Sequence, residues 1–415
     1  MSQVSAPTRL GPLRHRNFRL LVIGRTTNSF GSSVTPVALA FAVLDLGGSA
    51  TELGLVVASF ALAEVVTVLA GGVLGDRISR QRMIQVTIAI AAVVQASVAA
   101  LLVTDRATIP LLAASGAVLG VLLALAGPSA NAIVRLTVPP EELESAVPLG
   151  RVFQNGAQIA GFAAGGVLVA AVGPGWAIGV DAVTFAVAAV CFTLMHVPHT
   201  KAEGARPSFL GDLGDGFREV FRHTWLWLLI GQALLYHLFY GGAQGVVGPI
   251  VVEDSIGRSA WGIALSALMA GFLVGGLVCL RFRPRHGLWV GVAFLSWTAF
   301  FPFAMAFSDQ LWIVAAGAFL HGFGLEIFSV NWDLSIQQNV AEDKLARVYS
   351  LDLVGSFVMR PLGLALTGPV AEAVGFERWL VVVGIVMGGS SLVSLLSGDI
   401  QRLVRNPSAP ASAPL

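Results

Sequence analysis

GGVLGDRISRQRMI, residues 71–84, joins the end of one long apolar run to the start of the next and sets one acid and three arginines between them, Asp76, Arg77, Arg80 and Arg82. Dense positive charge between two membrane-length segments marks a tight cytoplasmic turn. If that is its role, apolar spans must alternate in direction outward from it along the whole chain.

Composition agrees with a membrane setting. Of 415 residues, 55% are hydrophobic and 12% charged, against about 25% charged in ordinary soluble domains. An all-α integral membrane protein is expected. The net charge of +1 is too scattered to form a basic face, so no nucleic-acid partner is expected. The 47 glycines suit helices that approach closely in lipid. Cys191 and Cys279 lie in apolar runs, and His237 and His321 lack acid or cysteine ligands at metal spacing, so neither a disulfide framework, a metal nor a cofactor is expected. There is no Gly-x-x-x-x-Gly-Lys-Ser/Thr loop for direct ATP drive, and no clustered nucleophile and base for an enzyme. The basic N-terminus (Arg9, Arg14, Arg16, Arg19) precedes an apolar run too long for a signal core, so the first helix is expected to stay in the membrane.

About 20 mainly apolar residues cross the hydrocarbon core. That ruler places spans at 19–44, 52–75, 84–104, 109–135, 147–172 and 175–197, and six more at 225–251, 260–281, 287–307, 310–333, 347–371 and 376–398. The expected organisation is a cytoplasmic tail (1–18), a six-helix bundle (19–197), a linker (198–224), a second bundle (225–398) and a disordered tail (399–415). In the linker, Leu210, Leu213, Phe217, Val220 and Phe221 recur at helical spacing between charges, which predicts a short amphipathic helix on the cytoplasmic face. Of the 25 Lys and Arg, 20 fall at the termini and even-to-odd connections; three (Arg106, Arg258, Arg378) lie on the other side and two (Arg25, Arg360) within spans. Both termini are therefore expected in the cytoplasm of a multi-pass cell-membrane protein.

A repeat links the halves. Shifted by 202 residues, Leu143, Leu149, Gly161, Gly166 and Gly173 fall on Leu345, Leu351, Gly363, Gly368 and Gly375, and GSATELG (48–54) echoes GRSAWG (257–262). Parallel repeats of this kind occur in transporters whose substrate site lies between the halves near the midplane.

The Gly-x-Leu-x-Asp-Arg-x-x-Arg core of the opening stretch (Gly72, Leu74, Asp76, Arg77, Arg80) resembles the loop between helices 2 and 3 of the major facilitator superfamily, with Ser79 where the family has glycine. The resemblance implies twelve helices in two pseudo-symmetric halves, and a gating latch made by Gly72, Asp76, Arg77 and Arg80; for the arginines, a plain topogenic signal is the alternative. Gly161, Gly165 and Gly166 in GFAAGG resemble the Gly-Pro-x-x-Gly-Gly antiporter motif of drug exporters, with Phe162 in place of proline; close packing through small residues is the alternative. RHRNFRLLVIGRTTNSFGSSVTPVALAF (14–41) and SLDLVGSFVMRPLGLALTGP (350–369) look like actinobacterial twelve-helix exporters, a branch that also resembles macrolide and siderophore efflux proteins. The membrane arginine of the drug exporters' fourth helix is missing, since Arg135 lies at that helix's end.

An acid at a helix centre costs roughly 2.5 to 3.5 kcal/mol on insertion scales, so it implies a partner, a wet cavity or a proton. Glu326, Glu64 and Asp181 are the candidates for proton coupling, in that order, with packing as the alternative for each. Helices 1, 4, 7 and 10 resemble the family's cavity-lining set, and Glu326 is on one of them. Two polar stripes join it as candidate substrate contacts: Arg25, Asn28, Ser32 and Thr35 on the first helix, and Gln232, Tyr236, Tyr240 and Gln244, at four-residue steps, on the seventh. Interhelical hydrogen bonding is the alternative for both stripes. Asp352 and Arg360 on the eleventh helix are assigned to gating. The expectation is a monomeric secondary transporter in the lipid bilayer, exchanging protons for a hydrophobic or amphiphilic small molecule that it exports. An importer, a siderophore exporter, a lysolipid transporter or a non-transporting receptor on this fold are the alternatives.

Overall fold

The computed structural model describes residues 11–70, 80–196 and 217–405. Twelve helices among them are long and apolar enough to cross a membrane. The first six are α1 (Arg16–Asp45), α2 (Ala50–Ala70), α3 (Arg80–Val103), α4 (Ile109–Ile133), α5 (Leu143–Val172) and α6 (Pro174–Leu194). After a short helix over 217–222 come α7 (Thr224–Ser255), α8 (Arg258–Arg281), α9 (Gly287–Phe307) and α10 (Leu311–Asn339). The last two are α11, in two pieces (Glu342–Phe357 and Arg360–Val374), and α12 (Phe376–Ser394). Each expected span has its helix, and no strand occurs among the described residues. The loop residues Gly72, Asp76 and Arg77 lie outside the described residues, as do Leu210 and Leu213 of the linker; Arg80 opens α3.

Of the described residues, those within Met1–Ala42 and Leu62–Glu203 form one compact unit, and those within Val43–Ala61 and Gly204–Pro410 form the other. The second unit thus takes in the end of α1 and the first half of α2. Inside that unit Arg258 binds both Asp45 and Glu253, and the Glu372 carboxylate accepts from the backbone N–H and hydroxyl of Thr51 at the start of α2.

The repeat is expressed in backbone geometry. Gly173 (φ 85°) and Gly375 (φ 98°) both end a helix in a conformation that favours glycine and start the next. Each half also has a repeat-matched glycine that brings two helices into contact. A methyl group on Gly161 of α5 would collide with the Phe30 carbonyl of α1, and one on Gly363 of α11 with the Leu238 carbonyl of α7.

Prolines break the helical ladders where the second unit bends. Pro302 has no N–H to give the Thr298 carbonyl, and Ser296–Ala299 winds as a 3₁₀ turn. Pro249 likewise cannot serve the carbonyl of Gly245, and Ala243–Val247 widens into a π turn. Pro361 follows the break between the pieces of α11. At the linker's end, Val220 is buried in a cluster with Trp225, Leu226, Ile336, Val348 and Ile400, while Phe217 and Phe221 stay exposed.

Candidate functional site

The polar stripe of α7 runs along a cavity of about 270 Å³ inside the second unit. Four-residue spacing on one helix puts Gln232, Tyr236, Tyr240 and Gln244 on nearly one face, and Gln232 and Tyr236 both line the cavity. The Gln232 amide donates to Ser391 Oγ at 2.7 Å and accepts from Ser394 Oγ at 2.9 Å, tying α7 to α12. Tyr236 Oη lies 2.7 Å from His321 Nε2.

The proton positions in that pair follow from the far side of the ring. His321 Nδ1 is 2.7 Å from the Thr298 carbonyl, an acceptor only, so Nδ1 carries the hydrogen, Nε2 accepts and the tyrosine donates. The Thr298 carbonyl is the one that Pro302 leaves without its helical donor. A proline in α9 thereby fixes a histidine in α10, which fixes a tyrosine in α7. Tyr240, one turn on, stacks on His321 with ring centroids 4.2 Å apart, and its buried hydroxyl has no hydrogen-bond partner. Gln244 sits half-buried in the π turn.

From α11, Asp352 Oδ2 accepts from Trp332 Nε1 at 3.2 Å and Oδ1 accepts from Ser356 Oγ at 3.3 Å. Asp352 lines the cavity; Arg360 does not, and its stem packs beside Gly241. Glu326 is placed elsewhere. Its side chain turns to α8, where a methyl group on Gly275 would meet its Cβ at 3.0 Å, and it does not line this cavity.

In the first unit the stripe of α1 divides. Thr35 turns to Asp181 of α6, donating to Oδ2 at 2.5 Å; Gln95 of α3 donates to the same oxygen at 2.6 Å and Thr184 to Oδ1 at 3.1 Å. Asp181 is 1% exposed, so this acid knits three helices through neutral donors. Arg25 lies near Arg151 of α5. Asn28 Oδ1 is buried with no hydrogen-bond partner, and Ser32 is half-buried. Gly161, Gly165 and Gly166 are all buried, and the first two press on α1 at Phe30, Ser33 and Val34. Glu64 is half-buried midway along α2. These first-unit residues and the α7 cavity belong to different compact units.

Residue reasoning missed Trp332, Ser391 and Ser394. The serines step by three along α12 and so had a helical signal; Trp332 had none, since its role depends on Asp352 reaching it from another helix. No group of three or more His, Cys, Asp or Glu side chains suited to a metal occurs among the described residues.

Twelve membrane-length helices define a multi-pass membrane protein. The chain belongs to the Major Facilitator Superfamily, which residues 21–364 match, and is thereby a transporter of small molecules rather than an enzyme. It is 24% identical over 400 residues to the multidrug efflux pump Tap of Mycolicibacterium fortuitum, covering 92% of this chain and 94% of that protein. It is 21% identical over 283 residues to macrolide efflux protein A of Streptococcus pyogenes, covering 66% and 70%. Among solved structures, the nucleoside transporter NupG superposes with a TM-score of 0.74 at 15% identity, covering 91% of this chain and 97% of that one. At that identity the likeness establishes the fold.

Proposed function

We propose that the protein exports a hydrophobic or amphiphilic small molecule across the cytoplasmic membrane, with both termini in the cytoplasm, in exchange for protons and as a monomer. The cavity of the second unit carries this reading: rings of Tyr236, Phe272, Phe328, Trp332 and Phe357 beside a few hydrogen-bonding groups match an apolar body with sparse polar atoms better than a sugar or a phosphate. The macrolide and multidrug efflux relatives support the outward direction. Asn28 and Tyr240, each with an unpartnered buried polar atom, are further places where a substrate group would gain a bond.

Glu326 remains the first choice for the coupling proton. It is half-buried in the middle of α10, where protonation would relieve the cost of carrying charge in a low-dielectric bundle. Glu64 is second. Asp181 is less suited, because its oxygens already accept three hydrogen bonds. One charge moving across about 100 mV releases roughly 2.3 kcal/mol, which supports a gradient near 50-fold at about 1.4 kcal/mol per decade.

The test is proton movement in energised everted vesicles on adding macrolides and other amphiphiles, with Glu326→Gln beside the wild type. Proton release triggered by one compound and lost in the variant supports exchange through Glu326. Release that persists in the variant removes Glu326 from the mechanism, and uptake of compound in the opposite direction removes export.

A further inference from the structure

We infer that the α7 cavity recognises positive charge: it seats the ammonium end of a lipophilic amine, and Asp352 is the group that reads the charge. This rests on the transporter reading above but adds to it the chemical class of the bound group.

The first observation is the balance of charge. Asp352 is the one carboxylate among the described residues that line the cavity, and no lysine or arginine lines it with them. Asp333 lies near enough for its charge to act on Asp352, and Arg360 near enough to act on His237, but neither lines the cavity, where Asp352 is the charged group that meets a ligand. An acid in such a place calls for a cation or a proton.

The second observation is the direction of the hydrogen bonds. The cavity's side-chain donors are engaged within the protein but for one: Tyr236 bonds to His321, Trp332 and Ser356 to Asp352, Ser390 and Ser391 to Met387, Ser329 to Leu325 and Thr298 to Leu295, while Gln232 gives one of its two amide hydrogens to Ser391. His237 Nδ1 meets the Ala233 carbonyl at 2.9 Å, which puts its hydrogen on Nδ1 and leaves Nε2 as an acceptor. The Tyr236 oxygen and both Asp352 oxygens also keep free lone pairs, since each accounts for one hydrogen bond. What faces a ligand is therefore mainly acceptors, with one Gln232 N–H beside them, and a cavity so lined selects a donor or a cation over an anion.

The third observation is the wall material. Tyr236, Phe272, Phe328, Trp332 and Phe357 present aromatic rings, whose faces attract ammonium groups through the ring quadrupole, more strongly when desolvated. The volume of about 270 Å³ falls below the roughly 300 to 1,000 Å³ of sites that enclose a drug-sized ligand. The cavity therefore takes the amine-bearing end of a larger molecule, with the remainder outside it.

Benzyltrimethylammonium, whose charge does not depend on pH, and its uncharged carbon isostere neopentylbenzene test this directly. Equilibrium binding of each to the purified full-length protein is measured for the wild type, Asp352→Asn and Asp352→Glu. The wild type is expected to prefer the cation by about tenfold or more, Asp352→Asn to lose that preference while binding the isostere as before, and Asp352→Glu to keep part of it. Equal wild-type affinity for the two probes overturns the inference, and so does an Asp352→Asn protein that still prefers the cation. The wild-type comparison decides the matter even if a variant fails to fold. Because no proton gradient is used, a failed efflux assay leaves this result standing, and efflux without charge preference leaves the transporter reading standing.

Discussion

Tyr236 of α7 donates its phenolic hydrogen to Nε2 of His321 on α10 across 2.7 Å, and the same ring donates from Nδ1 to the Thr298 carbonyl of α9. His321 is fully buried and joins three helices. His321→Leu would leave a carbonyl and a hydroxyl unpaired in the bundle, at about 1–3 kcal/mol for a buried unsatisfied group. Tyr236→Phe removes one bond and strands only the ring nitrogen, so its cost should be nearer the 0.6 kcal/mol or so found for hydrogen bonds between membrane helices. Thermal unfolding in detergent should rank wild type above Tyr236→Phe and Tyr236→Phe above His321→Leu. The reverse order of the two variants would mean that the bond to Thr298 contributes little.

Asp181 offers a sharper case, because three neutral donors converge on it from α1, α3 and α6. Asp181→Leu should lower stability by about 1–3 kcal/mol by leaving the Thr35 hydroxyl without its acceptor and the Gln95 amide with Thr35 Oγ1 alone. Pairing it with Gln95→Leu should recover part of the loss, since both partners of the main bond are then apolar. A double variant as unstable as the sum of the singles would show that the acid acts alone.

Glycines of α5 separate packing from mere flexibility. A methyl group on Gly161 would lie 2.9 Å from Ser33 Cβ and closer still to the Phe30 carbonyl, whereas one on Gly156 of the same helix meets nothing within 4 Å. Gly161→Ala should therefore reduce stability and transport together. Gly156→Ala should be neutral or stabilise by about 0.5–1 kcal/mol through helix propensity. If both variants behave alike, α5 does not depend on close approach to α1.

The helix count, the repeat and the stripe of α7 were all legible in the sequence, because each rests on a period or a spacing that a single helix imposes. Gly161 and Gly363 could be paired by a shift of 202, and the structure gives both the same task. What sequence could not supply is direction. Glu326 and Gln232 look equally interior on a helical wheel, yet one faces the glycines of α8 and the other the cavity. Asp352 was assigned to gating with Arg360, and nothing in its spacing named its described hydrogen-bond partner on another helix, Trp332. Backbone acceptors such as the Thr298 carbonyl leave no trace in side-chain patterns, although Pro302 four residues later was a clue that it needed a donor.

The short helix over 217–222 carries a pH dependence that belongs to one acid. Lys344, at the start of α11, donates to Glu219 Oε2 at 2.8 Å, and Arg222 donates to the same oxygen at 3.2 Å. The Lys344 ammonium, with Arg222 adding to it, holds the Glu219 carboxyl below the ordinary glutamate value against the opposing effect of burial. A carboxyl lowered on folding contributes stability that is fully present above the ordinary carboxylate range and is lost as pH falls through its folded value. His223 Nε2 lies 3.6 Å from the other oxygen, Glu219 Oε1. The difference in unfolding temperature between wild type and Glu219→Gln should therefore be fully present at neutral pH, above the ordinary carboxylate range, and should shrink as pH falls below that range and wild-type Glu219 takes up its proton. Lys344→Met should show the same loss at neutral pH and a weaker dependence on acid. A constant gap between wild type and Glu219→Gln across that range would mean that the glutamate holds the 217–222 helix by its shape and not by its charge.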